Sequence, residues 1–353
     1  MSPPESRSKI SFSIEPLPPL EGLATSWTRL DAVGQHSFFL TWDWIGTWLR
    51  SLPSPPDTRL LRVIRNDETV GLSVVTFSRP RRAASVRQLW LNATGDPAYD
   101  CITVEHNGFA SAGVSSTDLW SAFGDWFDFG ASATDVFMLS GIDAREAIFS
   151  SQQPIVERHE QGYLAPLAQI STLESFMRSL SGNSRQQLRR SIRAYERAGP
   201  LSIEIARDSH TALAFFTQMK LLHVRSWSRR RRRHAFDNPF FETFHRYLIR
   251  CGAADGSVEM VRISAGDQVL GYLYNFVRNG TVSNYQTGFD DSDKLLRPGY
   301  VCHALAIADY GARGMSRYDF LGGTNRLKES FGPERYELRW GHLRKKKPFF
   351  DRV

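Results

Sequence analysis

Two short segments of this chain match each other about 200 residues apart, and this match constrains the fold more than any other feature. Arg62-Val63 and the run Asp67 to Gly71 correspond to Arg262-Ile263 and the run Asp267 to Gly271. Both read as two strands joined by a charged turn, with a glycine early in the second strand. Such hairpins are common enough for a chance match, but self-similarity at a fixed separation is typical of a repeated unit. We therefore predict two copies of one mixed α/β unit.

The composition is that of a globular protein. The chain has 353 residues, of which 41% are hydrophobic, so it can bury a substantial core and is long enough for two domains. Its cysteines lie far apart, without the spacing of a disulfide scaffold or a zinc site, at Cys101, Cys251 and Cys302. The sequence lacks a signal peptide pattern and an apolar stretch of about 20 residues. We expect a cytoplasmic protein with no bound metal and no membrane span.

The order of predicted elements divides the chain into three parts. Residues 1–20 are expected to be a flexible lead-in, because Pro16, Pro18 and Pro19 oppose regular structure. Residues 21–167 and 168–353 are the two predicted domains. From Ser171 onwards the pattern predicts the order α-β-α-α-β-β-β-α-β-α-β, beginning with one long helix that is closed by Gly199-Pro200.

The positive charge of the chain is concentrated in two arginine clusters. The formal net charge is +7, and the run Arg229 to Arg233 alone contributes five positive charges. Four further arginines, spaced by four residues, are predicted to share one helix face: Arg185, Arg189, Arg193 and Arg197. These clusters are either solvated surface or contacts for the phosphates of a cofactor, a lipid head group or an RNA.

Several segments in the second half carry a resemblance to a known family. They are SGNSRQQLRRSIRAYERAG, LLHVRSWSRR, NYQTGFD, RPGYVCHALAIADYGARG and YDFLGGTNRLKESFG. In this order and spacing the chain resembles the GNAT acyltransferases, specifically the tandem-GNAT group that contains the CelD/BcsL-like acetyltransferases and the FemAB/FemX aminoacyl transferases. The resemblance covers residues 170–347 well and residues 20–165 only through the order of elements.

This resemblance implies an α/β fold of two tandem GNAT-like domains, each a mostly antiparallel twisted sheet with flanking helices. It implies an active C-terminal domain and a degenerate N-terminal domain that is structural or binds the acceptor. In the family, two parallel strands splay apart so that the pantetheine chain of the donor lies between them. The implied donor is acyl-CoA, used as a co-substrate without a permanently bound cofactor, and the acceptor is an amine or hydroxyl of a small molecule or saccharide.

The candidate donor-binding residues lie around the start of one helix. A cation, a turn and the amides of a helix start suit an anionic phosphate at Arg297, Pro298, Gly299, Tyr300 and Val301. This loop lacks the full Q/R-x-x-G-x-G/A pattern of acetyl-CoA binders, and it also reads as a simple helix start after a β-turn. The main-chain groups of Gln286 and Thr287 are expected to pair with pantetheine amides.

The glycine-rich stretch YDFLGGTNRLKESFG supplies two further candidates. Asp319 near the end of a strand and Lys328 on the following turn are expected to orient the acceptor and to offset charge on the donor. Gly322 and Gly323 would allow the main chain to approach a ligand. The alternative is an Asp319–Lys328 salt bridge, or two solvated side chains.

The remaining candidates are aromatic or imidazole side chains. His223 is the predicted general base, and Trp227, four residues later, shares its helix face and would wall the pocket. Tyr285 is the preferred proton donor to the leaving group, while Tyr272 and Tyr274 share a strand face at the edge of the cleft. Each of these residues also suits a purely structural role. His245, His303 and His342 are expected to be packed, and Cys302 to be inert in the core.

Two other functions remain open from the sequence. A Fem-like transferase would use aminoacyl-tRNA as its donor and bind the RNA through the two arginine clusters. A non-catalytic protein would use the same basic surface to hold an anionic polymer.

Overall fold

The structure, a computed structural model, describes residues 10–52, 57–79, 85–102, 104–130, 134–229 and 233–346. The strands are β1 (Ile10–Pro16), β2 (Thr58–Arg65), β3 (Glu68–Ser78), β4 (Gln88–Leu91), β5 (Ala110–Ser111), β6 (Val136–Asp143), β7 (Ile155–Pro166), β8 (Leu201–Ile205), β9 (Val258–Ala265), β10 (Gln268–Arg278), β11 (Thr281–Phe289), β12 (Arg317–Gly322) and β13 (Glu334–Arg344). The α-helices are α1 (Leu20–Val33), α2 (Trp42–Ser51), α3 (Ser116–Phe129), α4 (Ala147–Ser151), α5 (Leu173–Ser179), α6 (Gly182–Tyr195), α7 (Ser209–Arg229), α8 (Pro239–Gly252), α9 (Pro298–Ala312) and α10 (Arg326–Phe331).

The predicted repeat is present in the structure. Strands β2 and β3 correspond residue for residue, with an offset of 200, to strands β9 and β10. In each hairpin the second strand carries one extra residue at the same position, Val70 in β3 and Leu270 in β10, where the pairing register shifts. The order of exposed, partly buried and buried positions is identical in β3 and β10, with seven consecutive buried residues in each strand. A bulge and a burial pattern at matching positions confirm the repeated unit.

The described chain forms two compact units, residues 10–159 with 337–346 (unit 1) and residues 160–336 (unit 2). The sequence had placed the boundary at 167/168 and had assigned the C-terminal segment to the second domain. Part of the expected flexible lead-in is instead ordered, because Ile10–Pro16 pairs along its whole length with β2 and α1 begins at Leu20. That prediction was wrong for residues 10–20, and residues 1–9 lie outside the described part.

The sheet of unit 1 has the order β1-β2-β3-β4-β6-β13, with β5 paired to β3. Its pairs are antiparallel except for β4 and β6, which run parallel on either side of the crossover helix α3. Aromatic side chains of α3 fill the core beneath this sheet, with Phe123 and Phe127 fully buried against Phe137 of β6.

The sheet of unit 2 has the order β7-β12-β11-β10-β9-β8, and β11 and β12 run parallel with α9 as the crossover. Helices pack on both of its faces. The side chain of Tyr274 contacts His245 of α8, and the next residue, Asn275, bonds Tyr310 of α9. Successive strand residues point to opposite faces, so α8 and α9 cover opposite sides. The predicted fold class is confirmed.

The predicted order of elements from Ser171 is also confirmed, with one difference. The long first helix is broken at Leu180, and Ser181 caps α6 by accepting a hydrogen bond from the Ser184 N–H. Among the described helices, none is long and apolar enough to cross a membrane.

Candidate active site

The parallel strands β11 and β12 separate partway along their length. Their pairing runs from Thr281 with Arg317 to Ser283 with Asp319, and in the described chain no later pair joins them, although β11 continues to Phe289. At the same level β11 carries a bulge, because Tyr285 has no register partner on β10. Bulges redirect the main chain and end pairing. The predicted splay of two parallel strands is therefore present in unit 2.

The loop after β11 leads into the start of α9. Arg297 precedes the helix with a left-handed backbone (φ 49°), and Pro298 is the first helical residue. The Arg297 guanidinium donates to Gln187 Oε1 of α6 at 2.5 Å and lies 5.4 Å from the Tyr300 ring. Tyr300 N–H donates to Arg297 O at 3.0 Å, so this predicted phosphate-binding amide already has an acceptor. Val301 is fully buried.

Gly299 sits at the closest approach between this helix start and β11. A Cβ atom at Gly299 would lie 3.1 Å from the ring of Phe289. Glycine therefore allows the first turn of α9 to lie against the end of β11, on the side of the gap.

Side chains of helix α7 bond to the same loop. Arg225 donates to Asp290 at 2.7 Å, and Arg229 and Ser226 donate to Asp291 at 2.8 and 3.0 Å. Arg229 is thus engaged with the loop, and Arg230 to Arg232 of the predicted basic run lie outside the described residues. The loop between β11 and α9 is fixed by ion pairs from one helix and by Gln187 from another.

Three of the four arginines in the predicted stripe, Arg185, Arg189 and Arg193, lie on α6 at four-residue spacing. Arg185 turns inward and donates to the main-chain oxygens of Arg178 and Leu180 at 3.2 and 3.0 Å. Arg189 pairs with Glu174 at 3.1 Å, and Arg197 lies beyond the end of α6 at Tyr195. The stripe prediction was thus correct for the spacing of three arginines on α6 and wrong for Arg197, because the helix ends before it.

His223 lies on the buried face of α7, against β11. Its Nδ1 is 3.0 Å from Thr287 O, and because a carbonyl only accepts, Nδ1 carries the hydrogen and Nε2 is the basic nitrogen. The His223 ring stacks on Trp227 at 5.5 Å and 23° and meets Phe236 edge-on. The predicted base and its predicted wall are adjacent.

A glycine permits this close packing of α7 on β11. A Cβ atom at Gly288 would lie 2.3 Å from the Met219 main-chain oxygen. Any larger residue at position 288 would push α7 and His223 away from the strand.

The predicted tyrosines occupy different environments on this face. Tyr285 is half-buried and its ring lies 4.9 Å from His245 and 6.2 Å from Phe241. Tyr274 is fully buried beneath it, bonded to His245 Nδ1 at 3.1 Å, and burial raises its pKa. Tyr274 therefore cannot line an open cleft, contrary to the prediction. Tyr272 is nearly buried against Phe215, and burial also raises its pKa.

The main-chain groups of Thr287 bond the side chains of Gln286 and His223. Gln286 Oε1 accepts the Thr287 N–H at 3.1 Å, while Thr287 O accepts from His223. Both main-chain groups of Thr287 are engaged within unit 2. They are thus not open for pantetheine amides in this conformation, in contrast to the expectation.

The glycine-rich stretch forms a turn that is held by both of its predicted polar residues. Asp319 is buried and its Oδ1 accepts from Leu321 N–H and from Tyr336 Oη, both at 2.8 Å. Lys328 donates to the main-chain oxygens of Leu321 and Gly322 at 3.1 and 2.6 Å. Leu321 has a left-handed backbone (φ 59°) that these bonds support. Through these bonds both residues stabilise the turn.

His303 of α9 lies between the separating strands. Its ring is 5.8 Å from Phe289 of β11 and 5.3 Å from Phe320 of β12, and Nδ1 is 3.0 Å from Tyr318 Oη. Burial, with a smaller effect from the Lys328 charge, lowers the pKa of His303 to about 3. The imidazole is neutral and packed, as the sequence predicted. Burial also raises the pKa of the neighbouring Cys302 thiol, so this cysteine stays protonated.

The sequence reasoning missed a set of buried polar residues beside the bulge. Asn275 and Asn284 face each other on β10 and β11, and Glu259 of β9 is buried on the same sheet. A signal existed, since an asparagine or glutamate inside an otherwise apolar strand requires a partner.

Unit 1 has a parallel pair at the equivalent position, but its own chain occupies the space beyond. Strands β4 and β6 pair only from Gln88 to Trp90. Past that point Asn107 donates from its main chain to Gly141 O of β6 and from Nδ2 to Leu91 O of β4, both at 3.0 Å. Asn107 is 4% exposed. A residue of unit 1 thus bridges the two strands where those of unit 2 separate.

Comparisons with known proteins agree with this geometry. Residues 182–329, within unit 2, match the family model described as an acetyltransferase (GNAT) domain. The structure of FemX is similar over 94% of this chain and 96% of that chain, with 11% identity and a TM-score of 0.57. A conserved protein of unknown function from Bacteroides thetaiotaomicron is similar over 94% of this chain and 100% of that chain, with 11% identity and a TM-score of 0.53. No curated protein matches the sequence.

At such low identity the similar solved structures show the fold alone, and the family model matches a segment of unit 2. Together with the repeated hairpin and the paired crossover strands of both units, they give one classification. Both units have GNAT-like folds in tandem, and the segment of unit 2 from residue 182 to residue 329 matches the acetyltransferase (GNAT) domain.

Proposed function

We propose that unit 2 transfers an acyl group from acyl-CoA to an amine or hydroxyl of a small-molecule or saccharide acceptor. The observation that carries this proposal is the separation of β11 and β12 after Ser283 and Asp319, at the level of the bulge. The gap leads towards the first turn of α9, where amides and the helix dipole favour a phosphate. Arg297 lies at that turn, and its guanidinium would release Gln187 Oε1 and bind a phosphate of the donor instead.

The proposed reaction is a direct attack without a covalent enzyme intermediate. The acceptor nitrogen or oxygen attacks the thioester carbon, and His223 Nε2 takes the proton that the acceptor loses. Main-chain N–H groups near the bulge would stabilise the negative charge that develops on the carbonyl oxygen. The carbon–sulfur bond then breaks, and Tyr285 would protonate the departing thiolate.

Lys328 contributes positive charge to the same region. It is the second cause of the lowered pKa of His303, which lies between the two strands, so its field reaches the gap. We therefore keep Lys328 as a residue that favours an anionic donor, in addition to its role in the turn. Asp319, which is buried and doubly bonded, would act only by holding that turn.

The donor is assigned to unit 2 alone, because Asn107 bridges the corresponding strands of unit 1. Unit 1 then has a structural or acceptor-binding role. The tRNA-dependent alternative loses part of its support, since Arg185, Arg189 and Arg229 bond within unit 2.

Thermal stabilisation by candidate donors tests this proposal. The purified protein is heated with acetyl-CoA, longer acyl-CoAs, free CoA or a total aminoacyl-tRNA pool. A ligand at 100 times its dissociation constant adds about 2.7 kcal/mol to the free energy of unfolding. Stabilisation by CoA compounds supports the proposal, stabilisation by charged tRNA alone supports the Fem-like function, and no stabilisation favours a non-catalytic binder of anionic polymers.

A further inference from the structure

The carboxylate of Glu259 is buried on the α9 face of the unit 2 sheet, where an arginine binds both of its oxygens. Glu259 is 1% exposed, and its two oxygens accept from Arg313, just after α9, at 2.6 and 2.9 Å. The hydroxyl of Tyr310, which is fully buried, donates to the same carboxylate at 2.6 Å. Charge-assisted bonds of this kind are short and directional. They fix the C-terminal end of α9 to β9.

The bonds continue across the sheet to the bulge. Asn275 Nδ2 donates to Tyr310 Oη at 3.0 Å, and Asn275 Oδ1 accepts from Asn284 Nδ2 at 2.8 Å. Asn275 is fully buried and Asn284 is 8% exposed. Asn284 is the β11 residue immediately before the bulged Tyr285. It pairs with Asn275 of β10, and the pairing register shifts directly after this pair.

Stability alone does not account for this arrangement. Apolar side chains of similar volume usually stabilise a core as well as a buried ionic network does, whereas a half-broken network is costly. A chain of satisfied polar groups does, however, specify one register. Here the chain of bonds ends at the residue before the β11 bulge, one position after the last pair between β11 and β12.

We propose that the chain of hydrogen bonds from Arg313 through Glu259, Tyr310 and Asn275 to Asn284 positions the β11 bulge against the carbonyl of the bound acyl donor. These five are positioning residues, since the network acts through the main chain of β11. The proposal rests on the proposed function, because it requires a donor in the gap between β11 and β12.

The test uses acetyl-CoA labelled with carbon-13 at its carbonyl, bound to the full chain and observed by NMR. A hydrogen bond from the enzyme to the thioester oxygen shifts this resonance, and the shift does not depend on knowing the acceptor. The variants are Tyr310→Phe, Asn284→Ala and the double variant. The matched control is Tyr195→Phe, which removes another buried tyrosine hydroxyl, on α6.

We expect Tyr310→Phe and Asn284→Ala each to lose at least half of the shift on binding, with donor affinity changed by less than about threefold. Because the two residues belong to one network, the double variant should lose little more than either single variant. Tyr195→Phe should keep the full shift. Melting curves establish that each variant is folded at the temperature of the measurement.

The outcomes separate this proposal from the proposed function. If the wild-type protein binds neither acetyl-CoA nor a longer acyl-CoA, both the donor assignment and the role of the network are overturned. If the wild-type protein binds it with a shifted resonance and the folded variants keep that shift, only the positioning role is overturned.

Discussion

The imidazole of His223 donates from Nδ1 to the main-chain oxygen of Thr287 at 3.0 Å. This bond joins α7 to β11 two residues after the bulge at Tyr285. It fixes the tautomer of the histidine, so that Nε2 is the basic nitrogen. When the ring is neutral, Nε2 is the nitrogen that we propose as the general base.

His223→Ala should therefore lower kcat by about 100-fold or more, since a positioned base contributes on the order of 10²–10⁴ in rate. The KM for the donor should change by less than about threefold, because the ring is not assigned a donor contact. Steady-state kinetics with acetyl-CoA and a responsive amine would measure both. His210→Ala, an exposed histidine on the same helix, is the matched control. Full activity in His223→Ala would remove it as the base.

Gly288→Ala should separate α7 from β11. The new Cβ would lie 2.3 Å from Met219 O, a backbone atom that moves only with the helix. Overpacking of this kind costs about 1–3 kcal/mol, and urea unfolding would measure the loss. The control is Gly182→Ala at the start of α6, where a Cβ meets nothing within 4 Å. Equal stability of the two variants would contradict the close contact.

Arg297→Ala and Lys328→Ala should each weaken donor binding, by about tenfold for a loss of about 1.4 kcal/mol. Both changes remove a positive charge beside the gap, so the effect should shrink as the salt concentration rises. Titration calorimetry with acetyl-CoA at two salt concentrations would measure it. Arg250→Ala, an exposed arginine on α8, provides the control for overall charge. Unchanged affinity in both site variants would place the phosphates elsewhere.

His303 should make the stability of the protein depend on pH. Burial lowers its pKa to about 3 in the folded chain, whereas an unfolded histidine titrates near 6.5. Between these values the unfolded chain binds a proton that the folded chain does not, so stability falls as the pH falls. The loss is about 1.4 kcal/mol per pH unit below 6.5.

The variant His303→Gln should be less sensitive to pH between 6.5 and 5 than the wild type, by about 2 kcal/mol. Urea unfolding at the two pH values would measure the difference, and His210→Gln should leave it unchanged. His245, whose pKa burial also lowers, is present in every variant and cancels. An identical pH dependence with and without His303 would contradict its neutral, buried state.

Much of the fold could be predicted from local patterns. The hairpin turns, the matching residues of the two hairpins and the glycine and proline stops are short-range signals, and they predicted the repeat and the order of elements correctly. The segment Ile10–Pro16 was missed because its stability comes from pairing with β2, which is distant in sequence. Its prolines argued for a loop, yet Pro16 lies at the end of an outer strand, where proline is tolerated.

The site was only partly accessible from the sequence. Proximity of His223 to Trp227 followed from helical spacing, but the partner of His223, Thr287, lies 64 positions away and depends on the packing allowed by Gly288. Two cations that the sequence suggested as ligand contacts bond the main chain in the structure: Lys328 bonds two carbonyls of its own turn, and Arg185 bonds two carbonyls before α6. Near a break or turn, backbone N–H and C=O groups lack partners in regular structure, so nearby polar side chains bond to them.

Titration calorimetry of the purified protein with acetyl-CoA tests the central claim most directly. The geometry of unit 2, together with the Asn107 bridge in unit 1, predicts saturable binding with one site per chain, weakened by Arg297→Ala. Two equivalent sites per chain would contradict the assignment of the donor to unit 2 alone. No binding of acetyl-CoA or of longer acyl-CoAs at millimolar concentration would contradict the proposed donor itself.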